Sequence, residues 1–269
     1  MLQSMEAASP VKWNLAHTSW FFETFILSPH MAGYKPFHPD FGYLFNSYYN
    51  QVGAMHPRAI RGLVSRPSLD DVYSYRAHVN EALTAFVEKA DEDVLAAVAG
   101  LMALGCAHEE QHQELLLTDL QHAMSFNPLM PAVYEDAGEK ARHPAPAMRW
   151  RRMEGGVCDI GWSGGGFAFD NEGPRHKTYL HPFELANRPV TNAEYIAFME
   201  DGGYERPEHW LSAGWEMVRR EGWRAPLYWR RHDGEWRQYS LFGERKIDPH
   251  APVCHVSHFE AAAYASWAG

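Results

Sequence analysis

The first half of the chain carries apolar residues at three- and four-residue steps, a spacing typical of amphipathic helices. The first predicted helix begins after Ser9 and Pro10, a pair that favours a helix start, and runs to about Leu27. Its inward-facing positions are Trp13, Ala16, His17, Trp20, Phe21 and Thr24. The pattern therefore places one histidine, His17, on a buried helix face.

Two longer helices are predicted further along this half of the chain. Ser68 and Asp71 have the spacing of a capping box, which favours a helix over residues 69–89. The acidic run at residues 91–93 favours the start of a long helix rich in Ala and Leu over residues 94–125. Together the three helices predict a helical bundle.

The second half of the chain differs in composition. Four prolines between residues 128 and 146 lie among polar residues and predict an irregular connection. From Trp150 onward, short patterned segments alternate with Gly-rich turns, which is typical of an α+β fold with short strands, and TNAEYIAFME and HFEAAAYASWAG have helical patterns. The predicted organisation is a helical bundle at residues 1–130, a linker at 131–149 and an α+β domain at 150–269.

Composition limits the classes of function. The 269 residues carry a formal net charge of −10, which argues against a nucleic-acid partner because phosphate binding depends on clustered Lys and Arg. No apolar run reaches the roughly 18 residues of a membrane-spanning helix, and the N-terminus has no signal-peptide pattern. Three scattered cysteines fit reduced thiols. We therefore expect a cytoplasmic protein that acts on small molecules, with no nucleic-acid and no membrane partner.

The segment HEEQHQE in the long predicted helix is the strongest candidate for chemistry. His108 and His112 lie four residues apart, so both rings share one helix face and can reach one metal ion, and Gln111 lies on that side too. Buried histidines that do not bind a metal need separate hydrogen-bond partners. An inward-facing His17 on another helix therefore favours a metal site with His17, His108 and His112 as ligands, and Glu114 as a hydrogen-bonding partner behind them.

Other interpretations of these histidines stay open. The chain has 16 histidines, so a pair at this spacing also arises by chance, and a buried histidine is more often hydrogen-bonded than a ligand. His108, Glu109 and His112 also satisfy the HExxH pattern of zinc proteases, although no HxxGxxH continuation follows. Neutral imidazoles suit Zn, Fe, Ni or Cu. Three of them on one side of an octahedral ion leave three positions open, which a redox-active iron could use for two substrates and dioxygen.

Four segments resemble the sulfoxide synthases of ergothioneine biosynthesis: SPVKWNLAHTSWFFETFIL, YKPFHPDFGYLFNSYYNQVG, HEEQHQELLLTDL and FDNEGPRHKTYLHPFELANRPVTNAEYIAFM. The resemblance extends over essentially the whole chain. It implies a multi-domain fold, an all-α DinB-like helical bundle followed by an α+β C-type-lectin-like domain similar to the formylglycine-generating enzyme, the latter incomplete. It also implies that His17, His108 and His112 hold a non-haem Fe(II).

By the same resemblance, the reaction uses dioxygen to join a thiol, cysteine or γ-glutamylcysteine, to the imidazole ring of Nα-trimethylhistidine as a sulfoxide. Gln111 matches a family glutamine near the trimethylhistidine. Both ends of the chain are expected to be shorter than those of family members, and the family's catalytic tyrosine is expected beyond Gly269. The alternatives are a selenoneine or ovothiol synthase, a DinB-like metal-dependent thiol transferase, and a non-catalytic binding module.

Overall fold

The computed structural model describes residues 2–135 and 144–269. Part of the predicted linker, residues 136–143, therefore lies outside the described residues. The chain divides into two compact units, one of Met1–Phe126 with Gly161–Arg175 and one of Asn127–Ile160 with His176–Gly269. Among the described residues, no helix combines the length and the apolar character that crossing a membrane requires.

The first unit consists of helices. Helix α1 (Val11–Phe22) continues through a π-helical segment (Glu23–Leu27) into α2 (Ser28–His30). The remaining elements are α3 (Phe41–Leu44), a 3-10 helix (Arg58–Leu63), α4 (Leu69–Lys89), α5 (Glu92–Ser125) and a 3-10 turn (Asp170–Glu172). The capping box predicted before α4 is confirmed, since Ser68 Oγ accepts from the Asp71 amide at 3.1 Å and Asp71 accepts from the Ser68 amide at 2.8 Å.

Helix α1 forms the centre of this unit because it packs against both α4 and α5. The core residues that it contributes, Trp13, Ala16, Trp20 and Phe21, are the apolar positions predicted from the helical spacing. Helix α5 approaches α1 at Gly105, which is buried. A Cβ atom at Gly105 would lie 2.5 Å from the ring of Phe22 and 3.1 Å from that of Phe21. The close packing of α1 on α5 thus depends on the absence of a side chain at this position.

Replacing Gly105 by Ala should lower the free energy of unfolding by about 1–3 kcal/mol, because the added methyl group overpacks the α1–α5 contact. Gly100 on the same helix is the matched control, since a Cβ there would meet no heavy atom within 4 Å. Gly100→Ala should instead stabilise the protein by about 0.5–1 kcal/mol, through helix propensity. Urea unfolding followed by circular dichroism measures both changes. Equal effects of the two substitutions would contradict the close packing at Gly105.

In its described residues, the second unit combines short antiparallel strands with three helices, two of which the sequence pattern predicts. Strands β1 (Trp150–Met153) and β4 (Phe183–Ala186) form one sheet, and β2 (Gly156–Ile160) and β3 (His176–Leu180) form another. A three-stranded sheet contains β5 (Trp229–His232), β6 (Glu235–Ser240) and β7 (Gly243–Lys246). The helices are α6 (Asn192–Glu200), α7 (Ser212–Glu221) and α8 (His258–Ala268), and a 3-10 turn covers Pro207–His209.

The start of the predicted linker packs within this second unit. The Tyr239 hydroxyl donates to the Pro131 carbonyl at 2.9 Å, and the Val133 amide donates to the Leu241 carbonyl at 2.7 Å. Residues 131–133 are therefore held against β6 and the turn that follows it.

Capping boxes open two helices of the second unit. Thr191 caps α6 together with Glu194, and Ser257 caps α8 together with Glu260. Glu194 also accepts two hydrogen bonds from the Arg188 guanidinium, at 2.8 and 2.7 Å. These contacts, with Arg188 as the main cause, lower the Glu194 pKa from its ordinary value of 4.5 to about 2.

The Glu194 pKa predicts an acid-dependent loss of stability. Since the folded-state pKa lies below the unfolded-state value, the stabilisation is fully present above about pH 4.5 and is lost as the pH falls towards 2. The free energy of unfolding of the native chain should therefore exceed that of Glu194→Gln at neutral pH, and this difference should shrink in acid. Arg188→Gln should show the same trend. A difference that stayed constant down to pH 2 would contradict the role of this ion pair.

Candidate metal centre

Three histidine side chains meet inside the first unit. His17 comes from α1, and His108 and His112 come from α5. Their ring centroids are 4.9 Å apart for His17 and His108, 4.7 Å for His17 and His112, and 4.6 Å for His108 and His112. One nitrogen atom of each ring lies within 4.8 Å of the other two. His17 and His108 are buried and His112 is half-buried, so the cluster faces the interior.

Hydrogen bonds orient two of the three rings. His17 Nδ1 lies 2.6 Å from the Phe45 carbonyl oxygen, and His112 Nδ1 lies 2.8 Å from Asn14 Oδ1. Both oxygens can only accept, so each Nδ1 carries the proton and each Nε2 keeps its lone pair. His108 Nδ1 is buried and has no hydrogen-bond partner in the part of the chain that the structure describes. This donor set fits a bound metal ion, because ligating histidines typically donate their second nitrogen to such an acceptor.

The surroundings keep all three imidazoles neutral near pH 7. Burial, followed by the proximity of His112 and His108, holds the His17 pKa well below its ordinary value. Burial, with His108 and Arg61 nearby, lowers the His112 pKa to about 4, and burial also lowers the His108 pKa. Only the neutral form of histidine binds a metal ion. The site is therefore in its ligand-competent protonation state without having to release protons.

A cavity of about 200 Å³ opens onto the histidines. Besides the three rings, its walls include Asn14, Tyr48, Tyr49, Arg58, Arg61 and Gln111. The Arg61 side chain is only 2% exposed and donates to Ser9 Oγ and Ser47 Oγ, both at 3.0 Å. Its guanidinium carbon lies 3.5 Å from the centre of the Trp13 ring. Within the described ranges, neither Arg58 nor Arg61 forms an ion pair with a carboxylate, although the Asp119 carboxylate also lines the cavity and accepts from the Ser9 amide at 2.9 Å. The described cavity walls thus carry two arginines and one carboxylate.

The other residues predicted for the site lie in different places. Gln111 is exposed on α5 and lines the cavity. Glu114 is also exposed, but it is not among the cavity-lining residues, and the hydrogen bonds behind the histidines come from Asn14 and the Phe45 carbonyl. Glu109 accepts from Arg76 at 2.7 Å and does not line the cavity. This position disfavours the zinc-protease interpretation, in which Glu109 would be the general base beside the metal.

Sequence reasoning missed several residues of the cavity. Asn14 had a usable signal, because it precedes His17 by three positions and therefore shares its helix face. Arg58 and Arg61 have the same spacing, but they lie on a short 3-10 helix that no periodic pattern marks. The acceptor for His17 is the backbone carbonyl of Phe45. Every residue has such a carbonyl, so the sequence does not indicate which one contacts His17.

The protein thus consists of two units. One is helical and contains the three-histidine cluster, which is a candidate metal centre, and the other is an α+β unit of short strands. Residues 133–269 match the family model described as Sulfatase-modifying factor enzyme 1-like domain. Because this match extends over more than half of the chain, the chain belongs to that family.

Curated relatives extend the similarity to the helical unit. The chain is 32% identical to the hercynine oxygenase of Mycolicibacterium thermoresistibile and 33% identical to that of Mycobacterium tuberculosis, in each case over 97% of this chain. It is also 30% identical to the formylglycine-generating enzyme of Streptomyces coelicolor over 51% of its length. These relatives confirm the resemblance to ergothioneine-pathway sulfoxide synthases. The chain spans 56% and 59% of the length of the two hercynine oxygenases and 50% of the formylglycine-generating enzyme.

Replacing Asn14 by Ala should lower the affinity of the three-histidine site for a divalent metal ion by about 10–100-fold, because His112 loses the acceptor that orients its ring. Replacing His108 by Ala should abolish stoichiometric binding. Anaerobic isothermal titration calorimetry with Fe(II) measures both effects. Asn80→Ala, at an exposed position on α4, is the control and should bind as the native chain does. Full iron content in His108→Ala would count against the assignment of the ligands.

Proposed function

We propose that this chain provides the metal-binding part of a non-haem Fe(II)- and dioxygen-dependent sulfoxide synthase, and that its helical unit is a DinB-like bundle. The reaction would join a thiol, cysteine or γ-glutamylcysteine, to the imidazole ring of Nα-trimethylhistidine. The single observation that carries this proposal is the cluster of three neutral imidazoles, two buried and one half-buried, in a chain similar to hercynine oxygenases along nearly its whole length.

The ligand set supports iron as the metal. His17, His108 and His112 would hold the ion through three neutral nitrogen atoms and would leave the rest of its coordination sphere to substrates. Bound Fe(II) would supply the redox chemistry that dioxygen requires, which zinc does not provide. Asn14 and the Phe45 carbonyl would keep the His112 and His17 rings oriented while substrates exchange.

The cavity walls support an amino-acid thiol and a cationic partner. Arg58 and Arg61 bring two guanidinium groups into a small cavity that contains one carboxylate, Asp119, with which neither forms an ion pair in the described ranges. A substrate carboxylate would therefore be a suitable counter-ion for them. Tyr48 and Tyr49 supply aromatic faces, which suit the trimethylammonium group of Nα-trimethylhistidine. Gln111 lies on the same wall and can hydrogen-bond to a substrate.

Oxygen uptake tests this proposal. The chain loaded anaerobically with Fe(II) should consume dioxygen only when both Nα-trimethylhistidine and a thiol are present, and mass spectrometry should show the sulfoxide product. His17→Ala should abolish the uptake because it removes a ligand. A zinc-loaded chain that transferred the thiol without dioxygen would favour the thiol transferase instead.

The same assay identifies the donor when cysteine, γ-glutamylcysteine and a selenium donor are compared. The position of the new bond on the imidazole ring distinguishes this reaction from that of an ovothiol synthase.

A further inference from the structure

Two tryptophan rings enclose the imidazole of His17. The Trp13 ring lies 4.6 Å from it with an interplanar angle of 18°, and the Trp20 ring lies 5.4 Å away on a plane tilted by 15°. The guanidinium of Arg61 then covers Trp13 at 3.5 Å. A predicted metal ligand is thus stacked against two of the most easily oxidised side chains in proteins, and ring contacts at these distances allow electrons to pass between them.

The charge of Arg61 makes Trp13 harder to oxidise than Trp20. Removing an electron from Trp13 would create a positive charge directly beside the Arg61 cation, which is unfavourable in a buried site. Among the residues described by the structure, no cation lies over Trp20. Trp20 is fully buried, and its Nε1 has no hydrogen-bond partner in those ranges. Oxidised Trp20 has no neighbour to take its proton, so it would remain a reactive radical cation and pass the oxidation on.

Tyr49 is the next oxidisable side chain from Trp20. The two ring centroids are 5.5 Å apart, whereas Phe25, which also contacts Trp20 at 5.7 Å, is much harder to oxidise. Tyr49 is half-buried and lines the same cavity as the histidines. Burial raises its pKa, so the phenol carries its proton at neutral pH and can release it to water in the cavity on oxidation.

We propose that Trp20 and Tyr49 form an electron-transfer path that protects the histidine cluster from oxidation when the metal centre reacts with dioxygen or peroxide without productive substrate. The proposal rests on the proposed function, which supplies the oxidant, a one-electron oxidant derived from dioxygen at the metal. Trp20 gives one electron to this oxidant. Tyr49 then gives one electron to Trp20 and one proton to water.

A small-molecule thiol in the cavity completes the cycle. It gives a hydrogen atom to the Tyr49 radical, and two resulting thiyl radicals join as a disulfide, so two electrons leave two thiols. The thiol substrate class of the proposed function is therefore also the reductant of this path.

The test uses the full chain loaded with one Fe(II), challenged with hydrogen peroxide without thiol or Nα-trimethylhistidine, and digested for mass mapping. In the native chain, oxidation should fall on Trp20 and Tyr49, with the histidines spared. Trp20→Phe should raise the rates of histidine oxidation and iron loss several-fold. Tyr49→Phe, on the cavity wall, should instead accumulate oxidised Trp20. Added cysteine should protect Tyr49 in the native chain.

Trp150→Phe is the matched control, because it makes the same ring exchange at an exposed position on β1, outside the histidine cavity. It should follow the native pattern of oxidation. Equal histidine oxidation in Trp150→Phe and Trp20→Phe, or an oxidation pattern that Trp20→Phe and Tyr49→Phe leave unchanged, would overturn the path. The iron content measured before the challenge separates the two proposals. A chain that binds no iron contradicts both, whereas stoichiometric iron with an unchanged pattern contradicts only the path.

Discussion

The burial of three neutral imidazoles between α1 and α5 is the constraint on which the rest of the first unit depends. A buried imidazole needs partners for both of its nitrogen atoms, because unpaired polar atoms away from water are costly. The Phe45 carbonyl and Asn14 satisfy one nitrogen of His17 and of His112. The remaining nitrogen atoms, which lie close to one another, keep lone pairs without a partner among the described residues. A single bound cation would accept all three lone pairs.

Several features of the first unit follow from this constraint. Gly105 lets α5 approach α1 closely, one helical turn before His108. The segment that ends α3 must return to the cluster so that the carbonyl of Phe45 meets His17, and the indole of Trp13 holds it there by donating to the Leu44 carbonyl at 3.1 Å. Arg61 packs on the outer face of the same indole. The cavity wall that contains Arg61 and the histidine cluster therefore share one supporting side chain, Trp13.

The second unit illustrates how local signals define short elements. Two of its helices, α6 and α8, begin at capping boxes whose residues are within three positions of one another, and its strands pair as antiparallel sheets of two or three. Because these signals are local, the α+β character could be predicted from the letters. The pairing of β1 with β4 could not be predicted, because two other strands, β2 and β3, lie between them in the chain.

The sequence by itself determined the helices around the site, the inward face of His17 and the shared face of His108 and His112, because helical spacing and capping act over a few residues. Only the tertiary structure decided that Asn14 and the Phe45 carbonyl, rather than Glu114, contact the histidines. It alone also brought Arg58, Arg61 and Tyr49 into one cavity, and placed Trp13 and Trp20 on opposite faces of His17. These contacts depend on how distant segments pack, and the residue pattern of any one segment does not encode the position of another.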